Sequence, residues 1–76
     1  GEEFLILLPA TEKADAYALA EALRHRVATT DFTGVGQVTI SLGVAAFTGD
    51  ESMEALLKRV DNRAYAAKSD GRNRTL

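Results

Sequence analysis

Apolar and polar residues change rhythm several times along this chain, and each rhythm predicts an element. Phe4-Leu5-Ile6-Leu7-Leu8 is an unbroken apolar run stopped by Pro9. A short apolar run without alternation reads as a strand covered on both faces, and a proline ends its ladder. Ala16, Leu19, Ala20, Leu23 and Val27 then recur at steps of three and four, with Lys13, Glu21 and Arg24 largely outside that stripe. This spacing predicts an amphipathic helix over 12–29, with Thr11 as N-cap and Glu12 and Asp15 near its positive end. His25, among charged neighbours, is expected at the surface.

Thr29-Thr30-Asp31 and Gly34-Val35-Gly36 follow as a polar, glycine-bearing loop. Val38, Ile40, Leu42 and Val44 alternate with Thr39, Ser41, Gly43 and Ala45. Period two with β-branched residues predicts a strand over 37–47. Gly43, unusual in mid-strand, predicts a bend or close packing by a neighbouring element. Gly49-Asp50-Glu51-Ser52 forms a turn with helix-start residues. Leu56, Val60, Ala64 and Ala67, with Leu57 beside them, make a second helical stripe, and Gly71 suits the residue just past that helix. Arg74-Thr75-Leu76 begins a last edge strand. The order is strand, helix, strand, helix, short strand, and strand–helix–strand units favour parallel pairing through right-handed crossovers. The pattern alone reads as an incomplete α/β or α+β domain.

Composition narrows the chemistry. The 76 residues are 46% hydrophobic and 26% charged, an ordinary globular balance, with no cysteine and a single histidine. Disulfides, thiolate metal sites and multi-histidine metal sites are therefore excluded. A net charge of -2 gives no general attraction for nucleic acid, and no apolar run reaches the ~20 residues that span a bilayer. The signs are nevertheless segregated: Glu2 and Glu3 open the chain, while Lys58, Arg59, Arg63, Lys68, Arg72 and Arg74 crowd its last third. The opening Gly1-Glu2-Glu3-Phe4-Leu5, with no initiator Met before a strand-like run, points to sequence upstream of Gly1.

Gly1-Glu2-Glu3-Phe4 resembles the last four positions of the signature Gly-Gly-(Asp/Glu)-Glu-Phe of the GGDEF domain, the diguanylate cyclase family. Downstream, residues 4–9 resemble the family strand after the signature, and Thr39-Ile40-Ser41-Leu42-Gly43-Val44-Ala45 resembles its second shared strand. Asp61, Tyr65, Ala67, Lys68, Gly71, Arg72 and Asn73 match its terminal pattern in order and with family-like gaps. The resemblance runs over the whole chain. Arg63 and Ala64 depart from it, standing where the family usually has Ala and Leu; Arg63 is expected to point to solvent with little consequence.

The resemblance implies an α+β fold, part of a nucleotidyl-cyclase-like, ferredoxin-like βαββαβ domain of which this chain is the C-terminal half. The family's metal-binding aspartate, guanine-reading Asn and Asp, and inhibitory Arg-x-x-Asp site precede the position of Gly1 and cannot be carried over. In the family sheet a strand from that upstream half lies between residues 4–8 and 39–45. Without it the chain alone is expected to be poorly folded, oligomeric or strand-exchanged, because apolar strands lose a neighbour.

The implied activity is condensation of two GTP molecules into cyclic di-GMP with release of pyrophosphate, a Mg²⁺ (or Mn²⁺) dependent reaction between two facing domains of a homodimer. The implied location is cytoplasmic, with any membrane tie lying outside this segment. Phosphoryl transfer is mainly positioning and charge stabilisation, and hard divalent cations take carboxylate oxygens. By resemblance Glu2 binds metal and assists deprotonation of the 3′-hydroxyl, and Glu3 is the second metal ligand. Strand neighbours point to opposite faces, so both reach one centre only where the turn breaks the alternation. Gly1 lets the nucleotide approach the backbone. By resemblance Lys68 and Arg72 contact phosphate. Four residues apart, they share a face if the helix reaches that far. The plainer readings are solvated turn carboxylates for the first pair and cations complementing a helix C-terminus for the second. Asp61, Tyr65 and Asn73 are expected to be structural, the tyrosine through a bonded hydroxyl. Two other readings stand beside catalysis: a non-catalytic domain that senses GTP or cyclic di-GMP, and a half-domain with no activity of its own. The intact Glu2-Glu3-Phe4, with its two carboxylates, favours an active parent.

Overall fold

The structure, a computed structural model, describes residues 3–76. Its order is α1 (Lys13–Ala28), β1 (Asp31–Phe32), β2 (Gly36–Gln37) and α2 (Met53–Ser69), a small α+β arrangement with one two-stranded antiparallel sheet. α1 lies within a residue of the expected 12–29 at each end, and α2 contains the whole second stripe from Leu56 to Ala67. No helix among the described residues is long and apolar enough to cross a membrane.

The start of α1 differs from the sequence expectation. Glu12, extended at φ -74° and ψ 158°, is the N-cap residue, and its side chain makes no capping bond. The Thr11 hydroxyl instead donates to Pro9 O at 3.0 Å. The α2 start follows the usual capping chemistry: Ser52 Oγ accepts from Ala55 N–H at 3.0 Å.

The expected loop after α1 contains a minimal hairpin, with Asp31 opposite Gln37 and Phe32 opposite Gly36. Val35 N–H closes its turn onto Phe32 O at 2.9 Å. Gly34 sits at the third turn position with φ +82°, which a glycine takes without strain.

The two expected strands are realised very differently. Segment 37–47 is not a continuous strand; pairing concentrates at a parallel bridge between Leu42 and Thr75. Leu42 N–H donates to Arg74 O at 3.0 Å, Leu76 N–H to Leu42 O at 3.0 Å and Val44 N–H to Leu76 O at 2.8 Å. The last three residues thus act as the expected edge strand. Residues 4–8, expected as a strand buried on both faces, are exposed and unpaired, Phe4 at 85%. No other strand among the described residues lies beside them, so their backbone groups have no ladder to join.

The core is correspondingly thin. Ala20 of α1, Val44, Ala67 of α2 and the polar Thr75 are buried. The accessible surface of 5790 Å² exceeds the roughly 4,500 Å² expected of a folded monomer of this mass. Val44 and Gly43 pack on α2. A Cβ on Gly43 would press on Ala64 N, lie 2.5 Å from Val60 O and 2.9 Å from Arg63 C, so backbone meets backbone there.

Arg63 does not point to solvent. Its Nη1 donates to Val44 O at 2.6 Å, and Arg59 Nη2, one turn earlier, donates to Ala46 O at 2.7 Å. Val44 and Ala46 lie two and four residues beyond Leu42, on the same edge of the segment. The two guanidinium groups therefore satisfy carbonyls past the end of the Leu76 ladder. Arg59 is itself held by Glu51, whose carboxyl it keeps below the usual carboxylate range. Arg63→Ala is expected to destabilise the fold by about 1–3 kcal/mol, since a charge-assisted bond to a largely buried carbonyl is lost. Thermal unfolding checks this, and an unchanged midpoint would show that water replaces the guanidinium at no cost.

Candidate functional site

The candidate residues come from two stretches of the sequence, 1–3 and 68–72. Gly1 and Glu2, expected to approach the nucleotide and to bind metal, lie outside the described residues. Glu3 is exposed, and among the described residues no group of three or more His, Cys, Asp or Glu side chains converges on a metal position. Glu3 alone is not a metal site, since a hard divalent cation takes several oxygen ligands.

The second stretch is the exit of α2. Asp70 is the C-cap and Gly71 follows with φ +117°. Arg72 N–H reaches back to Ala67 O at 3.0 Å, the six-to-one bond of a Schellman motif, so Gly71 ends the helix as its position predicts. Left-handed geometry then continues through two non-glycine residues, Arg72 at φ 62° and Asn73 at φ 48°. Asparagine visits this region with little penalty, whereas an arginine there costs about 1–2 kcal/mol. Arg74 wraps the turn: its Nε donates to Arg72 O at 3.0 Å and its Nη1 pairs with Asp70 at 2.8 Å. That ion pair is exposed and contributes little by itself.

Lys68 lies in the last turn of α2 and Arg72 three residues past its end. The i,i+4 helix face therefore does not extend to Arg72, because the chain turns left-handed at Gly71. What the structure brings together is a helix-end ammonium and a guanidinium carried on the turn that caps the same helix. Both side chains are exposed and make no hydrogen bond or ion pair among the described residues. The arginines around them are committed internally: Arg24 to Glu21 and Asn73, Arg59 to Glu51 and Ala46, Arg63 to Val44, and Arg74 to Asp70 and Arg72. No bond links Glu3 to Lys68 or Arg72 among the described residues. The shallow apolar depression nearby is lined by Tyr65, Ala66, Ser69, Asp70 and Leu76 and includes neither cation. Tyr65, expected to be buried with a bonded hydroxyl, is 72% exposed.

A polar cluster that the stripe argument placed outside the core ties α1 to this turn. Arg24 Nε donates to Glu21 Oε2 at 2.6 Å, and Arg24 Nη1 donates to Asn73 Oδ1 at 3.0 Å. The Thr75 hydroxyl donates to Glu21 Oε2 at 2.8 Å, and the Tyr17 hydroxyl donates to Thr75 O at 3.3 Å. Asn73 N–H donates to Ser41 Oγ at 3.1 Å. Arg24, and then Thr75, hold the Glu21 carboxyl below the usual carboxylate range. A depressed pKa gives stability above the ordinary carboxylate pKa that is lost as pH falls through the folded value. The sequence signal for the cluster was the 4 and 3 spacing of Tyr17, Glu21 and Arg24, which share one helix face. Asn73 is structural, as expected, and His25 is exposed, as expected.

Comparison with known proteins gives a consistent picture. The family described as diguanylate cyclase, GGDEF domain, matches residues 1–74. The chain is 50% identical to diguanylate cyclase DgcM of Escherichia coli K12, over all of this chain and 18% of that protein. It is 46% identical to the response regulator PleD of Caulobacter vibrioides, over 96% of this chain and 17% of that protein. It is 43% identical to diguanylate cyclase DgcP of Pseudomonas aeruginosa, over 97% of this chain and 12% of that protein. The chain thus spans less than a fifth of these relatives' lengths, and no solved structure matches it. A signature opening at Gly1, a glycine pressed against a helix backbone at Gly43 and a helix stopped at Gly71 before Arg72-Asn73 all fall within the matched span, and the chain belongs to the GGDEF family.

Proposed function

We propose that this chain is the C-terminal part of a catalytic GGDEF domain of ferredoxin-like βαββαβ type, which joins two GTP molecules into cyclic di-GMP and releases pyrophosphate. The observation that carries the reading is the pair Lys68 and Arg72: exposed cations at the end of α2 whose side chains have no partner among the described residues, beside Arg74, which is engaged by Asp70 and Arg72 O. Two free cations of different geometry suit a triphosphate, one as a mobile point charge and one as a fork for two oxygens.

In this reading Glu2 and Glu3 supply carboxylate oxygens for Mg²⁺ (or Mn²⁺), and Glu2 takes the proton from the attacking 3′-hydroxyl. Gly1 leaves room for the nucleotide. A divalent cation held by these carboxylates would supply charge neutralisation at the phosphate oxygens. Each domain holds one GTP, so the reaction needs two domains face to face, as in a homodimer. The net charge of -2 and the carboxylates at Glu2 and Glu3 suit a nucleotide–metal substrate rather than nucleic acid.

The test is a paired measurement on the complete protein: GTP affinity and melting temperature for Lys68→Gln, Arg72→Gln and Arg72→Lys. GTP affinity should fall in all three with little change in melting, and Arg72→Lys should be damaging because it loses the fork. If the pair only complements the helix end, each Gln variant costs at most about 0.3–1 kcal/mol of stability and leaves GTP affinity alone. That result would overturn the assignment.

A further inference from the structure

Arg72 owes its position to a strained backbone, and the strain is held from α1. Three successive residues, Gly71, Arg72 and Asn73, have positive φ. Such conformations persist only where surrounding contacts over-determine them. On the α2 side the contacts are Arg72 N–H to Ala67 O and Arg74 Nε to Arg72 O. On the other side Asn73 is gripped twice, by Ser41 Oγ through its N–H and by Arg24 Nη1 through its Oδ1. Arg24 crosses 49 residues of sequence to make that bond. Its guanidinium arrives already oriented, because Nε and Nη2 both face the Glu21 carboxylate at 2.6 and 3.4 Å. Glu21 is in turn fixed by the Thr75 hydroxyl.

We infer that Arg24 is a positioning residue for Arg72: through Asn73 it holds the left-handed turn that aims the Arg72 guanidinium at the nucleotide phosphates. The inference rests on the phosphate-binding reading of Arg72. Arg24 touches no substrate in this account. The Glu21–Arg24 pair orients the guanidinium, the guanidinium holds the Asn73 amide oxygen, and Asn73 keeps the adjacent residue left-handed. Released from Arg24, the turn is free to relax toward negative φ at Arg72. That change redirects its Cα–Cβ bond and costs the guanidinium its alignment with two phosphate oxygens at once.

The experiment is a double-mutant cycle in the full-length protein, reading the GTP dissociation constant at equilibrium alongside the melting temperature. Arg24→Gln should weaken GTP binding about tenfold in the otherwise native protein, within the coupling range of groups in one hydrogen-bond network. In the Arg72→Gln background the same substitution should change it less than about twofold, because the residue it positions is gone. Equal losses in both backgrounds, or a fall in melting temperature with unchanged GTP affinity, would overturn the inference. If Arg72→Gln weakens binding while Arg24→Gln does not, the positioning role fails and the phosphate reading survives. If Arg72→Gln leaves affinity unchanged, both fail. Should Arg24→Gln not fold, Asn73 carries the same test. Asn73→Gly keeps the left-handed backbone accessible but deletes the acceptor, and should weaken binding. Asn73→Asp restores an acceptor for Arg24 and should recover most of the loss. Equal affinity for these two Asn73 variants would also overturn the inference.

Discussion

Replacing Gly43 with alanine should cost the fold about 3 kcal/mol or more, at the upper end of what overpacking does, because the atoms in the way cannot move aside. The new methyl would meet Ala64 N, Val60 O and Arg63 C, all backbone of α2, rather than the end of a flexible side chain. Relief requires moving the whole 42–44 segment off the helix. That displacement also stretches the Arg63 bond to Val44 O and the ladder from Leu42 and Val44 to residues 74–76. At about 2–4 °C per kcal/mol for a folded unit of 150–250 residues, the melting temperature should drop by about 6 °C or more, with Gly43→Val worse still. A drop below about 2 °C in thermal unfolding of the complete protein would mean that segment 42–44 and α2 are less tightly apposed than described here.

Glu2→Gln should abolish most turnover while leaving stability nearly unchanged. In the proposed reaction Glu2 supplies a negative oxygen to the metal and accepts the proton of the 3′-hydroxyl, and a glutamine of the same shape does neither. Metal-held charge and general-base transfer each contribute orders of magnitude, so turnover at saturating Mg²⁺ should fall at least about 100-fold. Retention of more than about a tenth of native turnover would make Glu2 a bystander. Glu3→Gln, measured beside it, separates a metal ligand from a solvated carboxylate. A raised Mg²⁺ requirement identifies the ligand, and unchanged Mg²⁺ dependence identifies the solvated group.

The two stability predictions bear on the same contact from opposite sides. Gly43 permits the close approach of strand segment and helix, and Arg63 uses that approach to reach Val44 O. The expectation of a solvent-pointing arginine failed because helical position shows only the direction in which a side chain leaves the backbone. A long side chain can turn back along the helix to an unpaired carbonyl.

The residue order alone determined both helices, because an apolar stripe at steps of three and four is a local signal and a helix makes its hydrogen bonds locally. It also determined where α2 stops, since a glycine just past the last stripe residue suits the left-handed position that ends a helix, and it marked Gly43 as a place of close approach. Family membership was likewise legible from Gly1-Glu2-Glu3-Phe4 and the terminal Lys68-to-Asn73 pattern. Strand pairing was not. An apolar run at 4–8 and an alternating run at 37–47 state a preference for burial, but a ladder exists only where a second strand arrives, and here residues 74–76 arrive at Leu42 and Val44 alone. The two-residue strands of the hairpin at 31–37 are too short to carry a period. Only the tertiary structure decided that Glu21 and Arg24 meet the segment after α2 and that Arg72 leaves the helix face shared with Lys68. The first depends on Asn73 and Thr75 coming back across some fifty residues to meet α1, and the second on three consecutive positive φ angles. Spacing shows that Tyr17, Glu21 and Arg24 share a helix face, but not which distant segment returns to meet it, because separation in sequence is unrelated to distance in space.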